Sequence, residues 1–237
     1  MTTPALQIMP IASSHEFVEG DRVAARLAGD ALRTGTPILD GDVIVVTQKI
    51  VSKVEGRIVA ATPADKDALV RSESRRVLRE RDGMMITETH HGFVCANAGI
   101  DFSNMPEGTA ALLPIDADRS AQRIRAELLA TQGLNVAIIV SDTFGRPWRR
   151  GLVDIAIGCA GIVALHDLRG QRDALGRELE VTEIAIADEL AAAAELVMGK
   201  TSGIPAAIIR GVPAEWLAID GRVQRDIVRP PDEDLFR

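Results

Sequence analysis

The sequence predicts an α+β fold of mixed sheets and packed helices, not a P-loop or Rossmann architecture. Three observations carry that expectation. Short apolar runs of strand length, at Val43 to Val46, Val136 to Val140 and Ala206 to Arg210, are separated by helical patterns at irregular intervals, so no regular βαβ alternation emerges. The segment Gly199-Lys200-Thr201-Ser202-Gly203 resembles a Walker loop but fails its test: position 194 is Ala194 where GxxxxGK[ST] needs glycine, and a helix precedes it instead of a strand. The 237 residues are 46% hydrophobic and only 3% aromatic, with no tyrosine. That supports an aliphatic core in one large domain or two small ones.

The elements follow in order. Leu6 to Ile11 reads as a first strand and Ala12 to Asp21 as polar loop, with Asp21 a candidate cap for a helix reaching Arg33. Val43 to Val46 is a β-branched strand. Thr47 to Gly56 (TQKIVSKVEG) fits a short helix or an irregular strand equally well, and Arg57 to Ala60 resumes a strand. Pro63 to Arg81 reads as one helix, acidic early at Asp65 to Asp67 and basic late at Arg75 to Arg81. Met84 to Thr89 and Phe93 to Ala96 flank a His90-His91-Gly92 turn, and Ala98 to Glu107 is a loop. A short strand at Ala111 to Leu113 and a helix at Ser120 to Thr131 lead to the central strand. Beyond it, Ile155 to Ile157 and Ile162 to Leu165 are apolar, and their glycine borders leave their type open. Val181 to Met198 is a helix rich in alanine and leucine. From Asp220 the chain is charged and ends RPPDEDLFR, the composition of a tail or linker. The reading is therefore one domain over residues 1–219 and a tail over 220–237.

Composition excludes several classes. A net charge of -7 and few aromatic rings argue against a nucleic-acid binder. Cys95 and Cys159 form no zinc spacing, and buried, reduced thiols are expected. The N-terminus lacks the basic head and apolar segment of a signal peptide. No apolar run approaches the ~20 residues that span a bilayer. A cytoplasmic location is the expectation.

Chemistry concentrates in four places. In NVAIIVSDTFGRPWRRG, residues 135–151, a strand buried on both faces gives way to Ser141-Asp142-Thr143, where open sheets tend to place ligands. Asp142 beside Thr143 suits a hard cation such as Mg²⁺ or Mn²⁺, and Arg146, Arg149 and Arg150 suit phosphate or carboxylate. The alternative is a turn and a solvated basic loop. In the second place, Asn97 to Asn104, Asp101 is a candidate metal ligand and Asn104 a candidate nucleotide contact; an Asx-turn is the competing reading. If the two strand ends are neighbours, Asp101 and Asp142 can share one metal or bracket two. The third is Gln48-Lys49 with Lys53, whose lysines four apart suit phosphates as point charges or simply a solvated face. The fourth is the turn from Gly199 to Gly203, whose free amides suit phosphate or merely end a helix. His15, His90, His91 and His166 make no zinc pattern. The charges from Asp154 to Glu178 read as a solvated loop.

Taken together, TQKIVSKVEGR, CANAGIDFSN, LLPIDAD, VSDTFGRPWRRG, DIAIG, GRELEVT, ADELA and GIPAAIIRG resemble the coenzyme F-420 γ-glutamyl ligase family over roughly Leu6 to Gly211. HHGFVCANAGID and the DEDLFR ending are most similar to the N-terminal ligase half of the actinobacterial bifunctional form, where a flavin-binding nitroreductase-like domain follows. The resemblance implies a γ-glutamyl-ligase-like fold, a homodimer, and GTP-dependent addition of L-glutamate to F-420-0, often with further γ-linked glutamates. It implies Mg²⁺ or Mn²⁺, with K⁺ as a further candidate. By motif, Asp101, Asp142 and Thr143 match metal ligands and Asn104 a GTP contact. Gln48, Lys49 and Lys53 lie in or beside one nucleotide segment, and Gly199 to Gly203 matches another. The N-terminal nucleotide segment departs from the family pattern: Ser13-Ser14-His15-Glu16-Phe17 keeps the glutamate but not the proline, which bears on the choice of GTP over ATP.

Amide formation from a carboxylate requires activation, and an acyl phosphate formed from GTP is the expected route. Asp101, Asp142 and Thr143 would act on the phosphate end with Lys49, Lys53 and Arg146 offsetting charge. His91, Glu88 and Asp154 are unranked candidates for the base. A metal-dependent phosphohydrolase and a non-catalytic nucleotide-binding module are the alternatives.

Overall fold

The computed structural model describes residues 5–217 and 221–235. Its strands and helices, in order, are β1 (Gln7–Ile11), α1 (Val23–Arg33), β2 (Val43–Thr47), α2 (Gln48–Val54), β3 (Ile58–Ala60), α3 (Lys66–Ser72), β4 (Ser74–Arg81), β5 (Met84–Thr89), β6 (Val94–Ala96), β7 (Thr109–Ala111), α4 (Ala117–Gln132), β8 (Ala137–Arg146), β9 (Arg149–Ala160), β10 (His166–Asp167), β11 (Glu183–Ile184), α5 (Ile186–Met198), β12 (Ala206–Arg210) and α6 (Val223–Asp226). The fold is α+β, as the irregular alternation of patterns predicts.

The main sheet has the order β1-β12-β2-β8-β9. Only β2 and β8 run parallel; the other pairs are antiparallel. Val43 to Val46 and Ala137 to Val140 are completely shielded from solvent, which explains why their sequences are unbroken apolar runs with no polar alternation. Helix α4 packs on β8 and β9, with α1 against α4, and α5 lies across β1, β12, β8 and β9. The long crossover from β2 to β8 carries the β3-β7 ribbon and the β4-β5-β6 sheet.

Three expectations are corrected. The helix read over Pro63 to Arg81 stops at Ser72, and β4 follows as a strand paired with β5. Asp82 and Gly83 both have positive φ, 51° and 74°, the requirement of a two-residue hairpin turn between right-twisted strands. The charges support the hairpin too: Glu88 is 2% exposed and accepts from Arg75 at 3.1 Å and Arg76 at 2.7 Å. Next, Asp21 caps no helix. Its carboxylate accepts from the Val18 amide at 2.8 Å, and Arg22 stands at the N-cap without a side-chain bond. The helix read from Val181 begins only at Ile186, because Glu183–Ile184 pairs with His166–Asp167.

The reading of a tail over 220–237 falls partly outside the described residues, at 236–237 and at 220. Within it, Val223 is fully buried, so the segment after Gly221 contributes to the core before residues 229–233 become exposed. Asp118 in the first turn of α4 is the fastening point. Its carboxylate accepts from the amides of Cys159 at 2.8 Å, Val223 at 2.9 Å and Gln224 at 3.1 Å. One side chain thereby satisfies an outward N–H of the edge strand β9 and two of the C-terminal segment. Asp118→Ala leaves three amides without their acceptor and is expected to cost about 3 kcal/mol, read as a lowered midpoint in urea unfolding.

Both cysteines are free and buried. Burial, with Asp142 adding, pushes the Cys95 thiol up to about 12, and burial also raises Cys159. Both thiols therefore stay neutral at pH 8, and thiolate is the reactive form. Neither is expected to be alkylated in the native protein at pH 8, and both should react in urea; mass spectrometry after alkylation checks this.

Candidate active site

The parallel pairing of β2 with β8 builds the site. Thr47 lies opposite Ser141, so both strands deliver their C-terminal ends together, the position where open sheets hold ligands. The TQKIVSKVEG segment left open by sequence is a helix: α2 starts at Gln48, immediately after β2. Helix α2 thus begins beside the Ser141 segment of β8. Gln48 is 2% exposed, and its Nε2 donates to Ser52 Oγ at 2.6 Å and the Leu112 carbonyl at 2.9 Å. Those bonds anchor α2 to the chain that follows β7. Lys53 pairs with Glu16, which fixes the N-terminal loop against α2.

The strand β8 does not end at Val140, as its apolar run suggests. It continues through Asp142 and Thr143 to Arg146 and pairs with β9 along its length. A bulge where Val140 pairs with Gly158 but Ser141 with Ala156 changes the register. The Ala156 amide is taken by Asp188 of α5 at 2.9 Å. Past the bulge, Thr143 lies opposite Asp154.

Asp101 arrives from the other side. Asn97, Ala98 and Gly99 all have positive φ, 50°, 55° and 70°. Asn97 Oδ1 accepts from the Met85 amide at 3.1 Å and Thr87 Oγ1 from the Ala98 amide at 3.1 Å, so β5 holds this tight turn. Asp101 then bridges Ala111 through both backbone groups. Its carboxylate is engaged on both oxygens. Oδ1 accepts from the Ser103 amide at 2.6 Å, an Asx-type bond, and Oδ2 pairs with Lys49 Nζ at 2.8 Å. Lys49 also donates to the Ser103 carbonyl at 2.7 Å. Burial works against the Asp101 charge, but the bonds from Lys49 and Ser103 outweigh it and hold the carboxyl below its ordinary range.

The fourth segment closes the ring. Gly199 ends α5, its amide donating to the Glu195 carbonyl at 2.9 Å, and Gly203 is exposed. Between them, Lys200 points into the site. Its ammonium donates to Thr143 Oγ1 and to Asp154 Oδ1 at 2.9 Å, with Glu195 at 3.4 Å. The Lys200 carbonyl accepts from Asn104 Nδ2 at 3.5 Å, joining the Asp101 loop to this turn. Arg146 lies outside the cluster, on the hairpin tip, where its guanidinium donates to the Arg150 carbonyl at 2.8 Å.

Four segments far apart in sequence therefore meet: α2, the Asp101 loop, the Asp142-Thr143 segment and the Lys200 turn. Comparison with known proteins places the chain in a family. The F420-0:γ-glutamyl ligase family model matches residues 13–211. The chain is 44% identical to the coenzyme F420:L-glutamate ligase of Methanothermobacter thermautotrophicus, over 92% of this chain and 93% of that protein. It is 43% identical to the protein of the same name from Methanocaldococcus jannaschii, over 85% and 86% of the two chains, and 39% identical to that of Methanopyrus kandleri, over 99% and 98%. The chain belongs to the F420-0:γ-glutamyl ligase family.

It is accordingly an enzyme of the ligase class, and no helix among the described residues is long and apolar enough to cross a membrane. In this family member, two residues of the cluster have a place that sequence reading does not give them. Asp154 reads as part of a solvated charged stretch and as an unranked candidate base, yet it is 2% exposed and accepts from Ser141 Oγ at 3.0 Å and Thr143 Oγ1 at 2.5 Å. Lys200 was passed over for the glycines around it. Burial opposes its charge, but Asp154 and Glu195 outweigh that and raise it.

Among the described residues, no group of three or more His, Cys, Asp or Glu side chains is gathered to hold a metal ion by itself. The donors present nonetheless fit a hard divalent cation that keeps phosphate oxygens and water in its shell. Asp142 is half-buried. Burial pushes its carboxyl up to about 7, and the neighbouring charges of Asp154 and Asp101 add to the rise, whereas Lys200 opposes it. Lysines pair with Asp101 and Asp154, whereas Asp142 accepts from the Thr143 amide and feels Lys200 at longer range.

Proposed function

We propose that this chain joins L-glutamate to F420-0 in a GTP-dependent reaction that forms an acyl phosphate. The observation that carries the reading is the convergence of Lys49, Asp101, Asp142, Thr143 and Lys200 at the ends of the parallel strands, within a chain of the ligase family.

The terminal carboxylate of F420-0 attacks the γ-phosphorus of GTP. A P–O bond forms, the bond to the β-phosphate oxygen breaks, and GDP leaves. The amine of glutamate then attacks the activated carbonyl carbon, phosphate departs with the C–O electrons, and the nitrogen gives up a proton. The chain's part in such a transfer is positioning and charge neutralisation. Lys49 and Lys200 supply ammonium groups beside the carboxylates, where an anionic nucleotide would otherwise be repelled. Asp101, Asp142 and Thr143 would hold Mg²⁺ or Mn²⁺, which supplies charge stabilisation on phosphoryl oxygens when bound. Asn104 and the amides of residues 200–203 border the same space and suit the nucleotide. Arg146, Arg149 and Arg150 on the exposed hairpin suit the phosphodiester of the deazaflavin. Asp154 is 2% exposed and accepts from Ser141, Thr143 and Lys200, which favours a role in holding these groups over that of base for the amine.

Hydroxylamine tests the activation step. With F420-0, GTP and Mg²⁺ but no glutamate, a hydroxamate of F420-0 should accumulate. Phosphate release without any hydroxamate would favour the phosphohydrolase reading instead.

A further inference from the structure

We propose that Asp154 is a positioning residue that aims the Thr143 hydroxyl at the cation site, and that the Lys200 ammonium occupies that place in the ion-free protein. The inference rests on the reading of Asp142 and Thr143 as cation ligands and adds residues to it that no motif supplied.

A hydroxyl has one proton and two lone pairs. Thr143 Oγ1 lies 2.5 Å from Asp154 Oδ1, and a buried carboxylate can only accept. The Thr143 proton is therefore committed to Asp154, and its lone pairs face away from that carboxylate. An ammonium, itself only a donor, meets the same oxygen: Lys200 Nζ donates to Thr143 Oγ1. A cation at Thr143 would use the same lone pairs. Asp154 is in turn held in place. Ser141 Oγ donates to Oδ2 at 3.0 Å, and the strand pairing of Thr143 with Asp154 sets the distance. The arrangement matches the outer partners of metal ligands, which orient the ligand without touching the ion. Lys200, by contrast, is tethered at the edge, its side chain 54% exposed, and can swing out when a divalent cation arrives.

The two residues should then act oppositely on cation binding. Asp154→Asn keeps size but offers an amide that can donate, so the Thr143 proton loses its fixed direction. Lys200→Met removes the competing ammonium and leaves the Asp154–Thr143 bond intact.

The experiment is Mn²⁺ binding by electron paramagnetic resonance of the free ion, with neither nucleotide nor acceptor substrate present, so that the ion meets only the side chains, alongside thermal unfolding of each variant. Wild type is expected to bind Mn²⁺. Asp154→Asn is expected to bind it 10- to 100-fold more weakly, by about the range found for such outer partners, and Lys200→Met at least as tightly as wild type. Unchanged Mn²⁺ affinity in a folded Asp154→Asn variant would overturn the proposal. So would an equal loss in both variants, which would make the ion pair itself the important feature. If Asp154→Asn does not fold, Lys200→Met decides alone: weaker binding there overturns the proposal. Absence of Mn²⁺ binding in wild type would instead remove the cation-site reading beneath it.

Discussion

Asp142→Asn is expected to lower kcat by about three orders of magnitude while leaving the protein folded. On the proposed role of Asp142 as a cation ligand, its loss removes several kcal/mol of charge stabilisation at the phosphoryl group, and each 1.36 kcal/mol is a tenfold change in rate. The fold should not suffer. In the ion-free protein the Asp142 charge is disfavoured by burial and by Asp154 and Asp101, so a neutral amide of the same size relieves repulsion. The metal-free variant should melt at or above the temperature of the wild type. Such a pairing of lost activity with retained stability marks a residue kept for chemistry. A variant that unfolds, or one that keeps its turnover, would take Asp142 out of this role.

Gly158→Ala is expected to be the most damaging small substitution in the sheet. A Cβ at Gly158 would lie 2.2 Å from the Ala117 carbonyl carbon and 2.5 Å from the Asp118 nitrogen. These are backbone atoms at the start of α4, so no side chain can rotate away. The helix would have to lift from β9, disturbing the amides that Asp118 satisfies. Overpacking commonly costs 1–3 kcal/mol; a clash with fixed backbone should exceed that range, at about 4 kcal/mol. For a chain of this size the melting temperature should fall by about 10 °C. Differential scanning calorimetry checks it, and a fall of less than about 2 °C would show that α4 can shift freely.

How much of this was legible in sequence depends on how local each signal was. The strands β2, β8 and β12 were readable because both faces are buried and their apolar runs need no partner to interpret. Asp101 and Asp142 stood out as acids following such runs. The β4-β5 hairpin was not seen: Arg75 to Arg81 matched the basic end of a helix, and Asp82-Gly83 was the turn signal that should have outweighed it. Strand β8 was cut short because Asp142 and Thr143 are polar, although an antiparallel partner extends it to Arg146. The place of Asp154 and Lys200 beside Thr143 is not legible in sequence for a different reason. Each is one charge within a charged or glycine-rich stretch, and only the pairing of β9 with β8 and the turn after α5 bring both to Thr143. Gln48 illustrates the converse. It sits in a nucleotide-like motif, yet its amide nitrogen is spent inside the protein.

The most direct test of the central claim is mass spectrometry of F420-0 after incubation with this protein, L-glutamate and Mg²⁺ or Mn²⁺, with GTP and ATP in parallel. The account predicts product heavier by one or more glutamyl residues, dependent on the metal and formed faster with GTP. Nucleotide bound or hydrolysed with no glutamyl residue added would contradict it.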